Sequence, residues 1–338
     1  MMAEAYTNCI DGHAHLAPLS FLNEVAKAPK AFGVKVERTD SGHAVSLPYM
    51  PKLRPAGGRL VELERREDWM TAEGVTHQVT GPWLDIVGYT LPAKKEIEWV
   101  HLLNEHLAAS ASSAGDAFRA LATVPLRSGD AAARELEWAV NEAGMVGAML
   151  SSDPVDIDVA DPSLESFWAM AAKLGVPVLL HGASHSKWDD FGPSYLAYSM
   201  GRTLDTTILA AKLILGGILD RNPTLKLALC HGGGALPYLI GRVEDGYQRG
   251  IERRDGYELE MGSPSAYLPK MYYDTVTLNE RSLRMLIDFV GSGHIMLGSD
   301  YVWGPMAQEF VAPVLRTVDD KEMPNILHVT AENLFGIS

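Results

Sequence analysis

Short apolar runs alternate along the chain with longer segments whose apolar positions recur every three or four residues. That is the contrast between a buried strand and an amphipathic helix. Runs at 6–10, 77–81, 119–124, 146–150, 177–181, 225–231, 271–274 and 294–298 read as strands. Helical periodicity falls between them, at 61–74, 93–113, 129–143, 162–174, 202–220, 235–250 and 279–290, with a last segment near 321–335. Gly175 stops one of these helices just before Pro177 opens the next strand. Alternating strands and helices imply a parallel sheet, and eight such units imply a closed (β/α)8 TIM barrel of the α/β class. An open doubly wound sheet is the alternative, but no G-x-G-x-x-G loop accompanies it. The period lapses over about 16–60, where alternating residues at 34–38 and 43–47 flank Thr39-Asp40-Ser41-Gly42 and predict a hairpin. A long insertion directly after a strand is a common place for a binding lid. With no linker or repeat in view, residues 1–338 read as a single domain.

Catalytic groups of such barrels stand at the C-terminal ends of the strands. Those ends hold His13 and His15 after the first strand, His181 after the fifth, His231 after the sixth and Asp300 after the eighth. Four of the eleven histidines therefore collect there. In Asp11-Gly12-His13-Ala14-His15 the two imidazoles, two residues apart, project to one face. His13, His15, His181 and Asp300 form a candidate ligand set for one divalent ion. Three nitrogens and a carboxylate with a position left for water make a catalytic rather than a structural site. Zn²⁺ is the expected ion and Mn²⁺ the alternative; a bound ion brings the pKa of its water toward about 7. The fourth strand ends in Met149-Leu150-Ser151-Ser152, which offers nothing to bridge a second ion.

His231, followed by Gly232-Gly233-Gly234, is the candidate general acid/base, with Asp300 sharing that role. A fifth ligand and a core histidine bonded to backbone are the alternatives. The glycines allow close backbone approach and start a helix at Ala235, whose amides could receive a carboxylate. Arg54, on the insertion, is a candidate carboxylate clamp. Arg242 either acts across a subunit interface or pairs with Glu244 or Asp245. Trp188, Tyr195 and Tyr301, with Trp83 and Trp303, lie near strand ends as candidate walls for a planar substrate. Asp11 shares the strand face of His13 as a supporting or core carboxylate.

A net charge of -14 argues against nucleic acid as a partner, since phosphate binding needs clustered Lys and Arg. It leaves room for an anionic small molecule, because local charge decides that. Cys9 and Cys230 both fall within strands and read as core thiols of a reduced cytosolic protein. No basic or apolar leader precedes the first strand, and no run approaches the roughly 18 apolar residues of a membrane span. The expectation is a cytoplasmic protein.

The Asp11-Gly12-His13-Ala14-His15 opening resembles the amidohydrolase superfamily. Cys230-His231-Gly232-Gly233-Gly234-Ala235-Leu236-Pro237-Tyr238 with Gly241-Arg242, and Met296-Leu297-Gly298-Ser299-Asp300-Tyr301, resemble its aminocarboxymuconate-semialdehyde decarboxylase group. The resemblance implies a distorted barrel with one Zn²⁺ or similar ion, commonly as a homodimer. It implies that His13, His15, His181 and Asp300 are the ligands and that His231 is the catalytic histidine. It also implies that Arg54 and Arg242 hold the substrate carboxylate, Arg242 reaching in from a partner subunit. The implied reaction is non-oxidative decarboxylation of a small conjugated or aromatic acid, without an organic cofactor. Gly182 stands where these decarboxylases usually have proline, and Val302-Trp303 where Pro-Phe often follows. Hydrolases and hydratases of the group use the same ligands, so hydrolysis or hydration is the second reading and a catalytically idle barrel the third.

Overall fold

The apolar runs pair in chain order. The computed structural model describes residues 8–40, 42–48, 54–152, 154, 156–182, 196–251, 257–303 and 310–337. Its strands are β1 (Cys9–Leu16), β2 (Lys35–Thr39), β3 (Gly42–Ser46), β4 (Arg54–Ala56), β5 (Val75–Pro82), β6 (Phe118–Ala120), β7 (Ala148–Ser151), β8 (Pro177–His181), β9 (Lys226–Leu229), β10 (Tyr272–Asp274) and β11 (Ile295–Met296). β1, β5 and β6 form one parallel sheet, and β7 to β11 form another in sequence order. Backbone bonds close the gaps between them. Met149 N donates to Ala122 O (2.8 Å), and Gly12 N donates to Leu297 O (2.9 Å). Eight parallel strands thus form a barrel, with β2, β3 and β4 as an antiparallel sheet on the insertion.

The helices are α1 (Leu19–Lys27), α2 (Pro29–Phe32), α3 (Glu67–Glu73), α4 (Ala93–Ser113), α5 (Gly129–Asn141), α6 (Glu165–Leu174), α7 (Arg202–Leu215), α8 (Ile218–Arg221), α9 (Leu236–Gln248), α10 (Glu280–Val290), α11 (Val311–Thr317) and α12 (Thr330–Phe335). Their ends follow local chemistry. Ser128 caps α5 and Asn279 caps α10 through side-chain oxygens. Gly175, in the left-handed region at φ 67°, ends α6. α4 buries Trp99, Val100, Leu103 and Leu107 on one face, and the Trp99 indole donates to Ile86 O at 2.7 Å. β7 and β8 are buried along their whole length, as strands covered on both faces must be.

The chain departs from its expected pattern in three places. β1 starts later than residues 6–10 suggest and carries the two histidines inside it, with a register irregularity between Asp11 and Ala14. The expected hairpin pairs as β2 and β3, but β4 joins it as a third strand. The helical segment at 202–220 divides at Gly216-Gly217, where Gly217 takes φ 70°. Cys9 and Cys230 are buried free thiols. Among the described residues no helix is long and apolar enough to cross a membrane.

One buried carboxyl gives a stability test. Glu96 on α4 is fully buried; it accepts from Leu126 N at 2.9 Å and lies 3.9 Å from Arg127 Nε. Burial pushes its carboxyl up to about 7 from an ordinary value of 4.5, against the opposing pull of those two donors. The folded protein therefore keeps this proton over a window in which the unfolded chain has lost it. Its contribution to stability is complete below about pH 4.5 and is lost as pH rises through about 7. Glu96→Gln, a permanent mimic of the neutral form, is expected to stabilise the protein by about 2–3 kcal/mol at pH 8. The gain should be small at pH 4.5. Urea midpoints of both proteins at the two pH values check this, and equal gains at both would refute it.

Candidate metal centre and active site

His13 and His15, alternate residues of β1, face the barrel axis together with His181 from the end of β8 and Asp300 beyond β11. The four are buried, and one ligand atom from each lies within 4.8 Å of the others. Each imidazole is oriented through Nδ1. His15 donates to Pro82 O (3.2 Å), His181 to Gly182 O (2.8 Å) and His13 to Asp274 Oδ2 (2.7 Å). This leaves every Nε2 as a lone-pair donor aimed inward. Those of His13 and His181 have no hydrogen-bond partner although fully buried. All three Nε2 atoms converge on Asp300 Oδ1, at 3.6, 3.0 and 3.6 Å for His13, His15 and His181. Orphaned buried nitrogens around a carboxylate are what a divalent cation satisfies, so the residues fit one ion.

The electrostatics divide the set. Burial lowers the His13 imidazole too, but Cys230 and the Asp274 carboxylate outweigh it and raise it well above its usual range. His15, His181 and Asp300 agree with that fit. Burial pushes the imidazoles of His15 and His181 below their usual range, toward the neutral form that coordinates a metal. Burial pushes the Asp300 carboxyl up, but the imidazoles of His15, His181 and His231 gathered around it prevail and hold it well below the usual carboxylate range.

His231 is the member of the group that meets solvent: its side chain is 12% exposed against 4% for Asp300. Its Nε2 lies 3.6 Å from Asp300 Oδ2, whereas the nearest contacts of the three other imidazoles are to Oδ1. It and Asp300 line a cavity of about 590 Å³ together with Tyr198, Arg202 and Tyr238. Both His231 (φ 57°) and Asp300 (φ 52°) occupy the left-handed region, which costs a non-glycine residue of order 1–3 kcal/mol. Backbone bonds hold them there: His231 N donates to Asp274 Oδ2 (3.0 Å) and Asp300 N to His13 O (2.9 Å). The amide of Ala235 is not free for a ligand; it donates to Thr207 Oγ1 at 2.8 Å.

Two residues that the strand-end reading passed over support this centre. Asp274 ends β10, a position at which that reading looked for chemistry. Besides His13 and His231 N, it accepts from Gly232 N (2.8 Å) and Val276 N (3.0 Å). Arg66, fully buried, donates to His15 O (2.5 Å), Gln78 Oε1 (2.8 Å) and Arg59 O (3.0 Å). Gln78 passes the chain of bonds to Asp11, which accepts from His13 N and from both donors of Ser299. Asp11 thus ties β1 to the segment that carries Asp300. Asp274→Asn would set an amide donor against His231 N–H or the His13 ring. It is expected to weaken metal binding about 10–100-fold, as read by chelator competition, and unchanged affinity would contradict that role.

The remaining candidates scatter. Tyr301 alternates outward from Asp300; its ring packs on Trp69 (4.4 Å) and under the Arg66 guanidinium (4.9 Å). Tyr301 is buried in these contacts and is not among the described residues that line the cavity of His231 and Asp300. Arg242 lies exposed on α9; Glu244 and Asp245 are engaged by Ser263 and Arg249 instead. Arg54 opens β4 with its backbone against Val45, and its side chain lies outside the described residues. Trp188 and Tyr195 also lie outside them. Trp303 stacks on Trp83 at 6.2 Å, and its carbonyl accepts from Tyr198 Oη at 3.2 Å.

A parallel barrel with an imidazole–carboxylate cluster at its strand ends defines a class of metal-dependent enzymes. Within that class the chain belongs to the amidohydrolase family, whose model matches residues 10–337. It is 25% identical over 328 residues to 2-amino-3-carboxymuconate-6-semialdehyde decarboxylase of Dictyostelium discoideum, covering 97% of this chain and 89% of that protein. It is 29% identical over 226 residues to gamma-resorcylate decarboxylase of Rhizobium radiobacter, covering 63% and 68%. Among solved structures, 5-carboxyvanillate decarboxylase from Sphingomonas paucimobilis superposes with a TM-score of 0.81 at 21% identity, over 98% of this chain and 100% of that one. A dihydroxybenzoic acid decarboxylase from Polaromonas, solved with manganese and 2-nitroresorcinol, gives 0.78 at 21% identity over 98% and 97%.

Proposed function

We propose that this chain is a metal-dependent, non-oxidative decarboxylase of a small conjugated or aromatic carboxylic acid. His13, His15, His181 and Asp300 hold one divalent ion, Zn²⁺ or Mn²⁺, and His231 serves as the acid/base. The observation that carries the reading is the split at Asp300. Three buried imidazoles gather on Oδ1, and the one imidazole open to the cavity stands at Oδ2. The decarboxylases among its relatives support the choice of reaction.

When bound, the ion supplies a fixed positive charge for the oxygen groups of the substrate. His231 delivers a proton to the carbon that loses its carboxylate. The carbon–carboxylate bond breaks, its electron pair stays on that carbon and is spread by the conjugated system, and carbon dioxide leaves. One proton is taken up for each carbon dioxide released. Asp300 holds the His231 ring in place through Oδ2 and shares the proton with it. Arg54 clamps the substrate carboxylate from the insertion, which acts as a lid. The exposed Arg242 serves a second copy of the chain in a homodimer. Residues 1–338 act as one barrel domain, a reading supported by the family match over 10–337, and its proposed location is the cytoplasm.

A relative that covers half of this chain, the 2-keto-4-carboxy-3-hexenedioate hydratase of Sphingobium, keeps hydration as the second reading. The deciding experiment incubates Mn²⁺- or Zn²⁺-loaded protein with carboxylated aromatics and muconate semialdehydes, and follows released carbon dioxide and product mass. Products lighter by one carboxyl group are expected. Products heavier by water would move the protein to the hydratase branch.

A further inference from the structure

The glycine that follows His181 has a steric cause. A Cβ on Gly182 would lie 2.4 Å from Arg202 Cβ and 2.5 Å from Arg202 O. Gly234, three residues past His231 and at φ 62°, is pressed the same way, since its Cβ would lie 2.2 Å from Thr203 O. The first turn of α7 is therefore wedged between the loop that carries a metal-ligand candidate and the loop that carries the acid/base. Any side chain at position 182 would push that turn outward.

Arg202 is the residue this wedge delivers. It is half-buried, lines the same cavity as His231 and Asp300, and places Cζ 5.5 Å over the ring of Tyr198. Arg281, at the start of α10, is a second guanidinium on that wall, and Asp300 is the one carboxylate among its described lining residues. Asp300 already belongs to the imidazole cluster. Among the described residues no carboxylate comes within ion-pair distance of Arg202 or Arg281. In a chain with 43 acidic and 29 basic side chains, this cavity thus presents two permanent cations that no carboxylate among the described residues pairs.

We propose that Arg202 forms an anion subsite for a second acidic group of the substrate, one that stays on the product, with Arg281 adding charge at the rim. The word substrate rests on the decarboxylase reading; the subsite itself does not. The reaction explains why the retained group is the better partner. A leaving carboxylate becomes neutral carbon dioxide, so an ion pair made to it, such as the one proposed for Arg54, serves binding and orientation but fades on the way to the transition state. An ion pair to a group that keeps its charge holds ground and transition states alike. The substrate class is accordingly a diacid, or an acid with a second anionic substituent.

The test measures binding rather than turnover. Mn²⁺-loaded protein is titrated calorimetrically with benzene-1,3-dicarboxylate and with benzoate. The diacid is expected to bind about 10–100-fold tighter. Arg202→Gln should reduce that preference to near parity at unchanged metal content and thermal midpoint, and Arg202→Lys should keep part of it. Arg281→Gln should lower it by a few-fold. Equal binding of the two acids by the wild type overturns the proposal without any variant, and so does a preference that survives Arg202→Gln. A diacid preference with no carbon dioxide released from any acid would refute the decarboxylase reading and leave the subsite standing. Decarboxylation of monoacids as efficiently as of diacids would do the reverse.

Discussion

Replacing His231 by alanine is expected to lower kcat by about two to four orders of magnitude while leaving the metal content of the protein unchanged. That range is what a positioned acid/base contributes. The two readouts separate because Asp300 presents different oxygens to different partners. The imidazoles of His13, His15 and His181 meet at Oδ1, whereas His231 Nε2 approaches Oδ2. Removal of His231 therefore empties the proton-transfer position and leaves the ligand set whole. Were His231 a fifth ligand, metal and activity would fall together. Its left-handed backbone, φ 57°, makes asparagine a second useful substitution. Asparagine tolerates that conformation and cannot carry the proton at neutral pH. His231→Asn should match alanine in kcat and exceed it in stability. Single-turnover rates and metal analysis of both variants provide the check, and a kcat within a few-fold of wild type in either would refute the role.

The fold and the candidate ligands were readable in the chain because both are periodic. Strands that alternate with helices dictate a parallel barrel, and a barrel dictates where polar side chains at strand ends must meet. His13, His15, His181 and Asp300 needed no more than that. Asp274 was also legible in principle, since it ends a strand. Its work consists of bonds to His13, 261 residues away, and to the amides of the His231 loop. Nothing local announces such partners. Arg66 is a stronger case of the same limit. An arginine between an insertion and a strand reads as surface, yet this one is fully buried because three acceptors, one of them His15 O 51 residues away, satisfy it. Burial holds its guanidinium at about 10, below the usual arginine range, and the nearby Tyr301 and Asp11 counter that pull. Arg202 carries no local signal either, since what sets its turn beside the cavity is the close approach of Gly182 and Gly234.

Removal of divalent metal is expected to abolish turnover, and titration of Mn²⁺ or Zn²⁺ into the apoprotein to restore it. Stability should change in parallel. The Nε2 atoms of His13 and His181 are buried without partners, so a cation that satisfies them binds the folded chain and finds no comparable site in the unfolded one. Free metal at a thousand times its dissociation constant would stabilise the fold by about 4 kcal/mol. In a chain of this size that is a rise of several degrees in Tm. The two ions are distinguished by which of them gives the larger rise together with the higher kcat. Substrate analogues report separately on the idle-barrel reading, since a mere binding protein would show ligand affinity and no turnover in any metal state. Full activity at substoichiometric metal would overturn the assignment of the cluster. A metal-dependent Tm without metal-dependent turnover would leave the ion a structural role and move the chemistry away from His231.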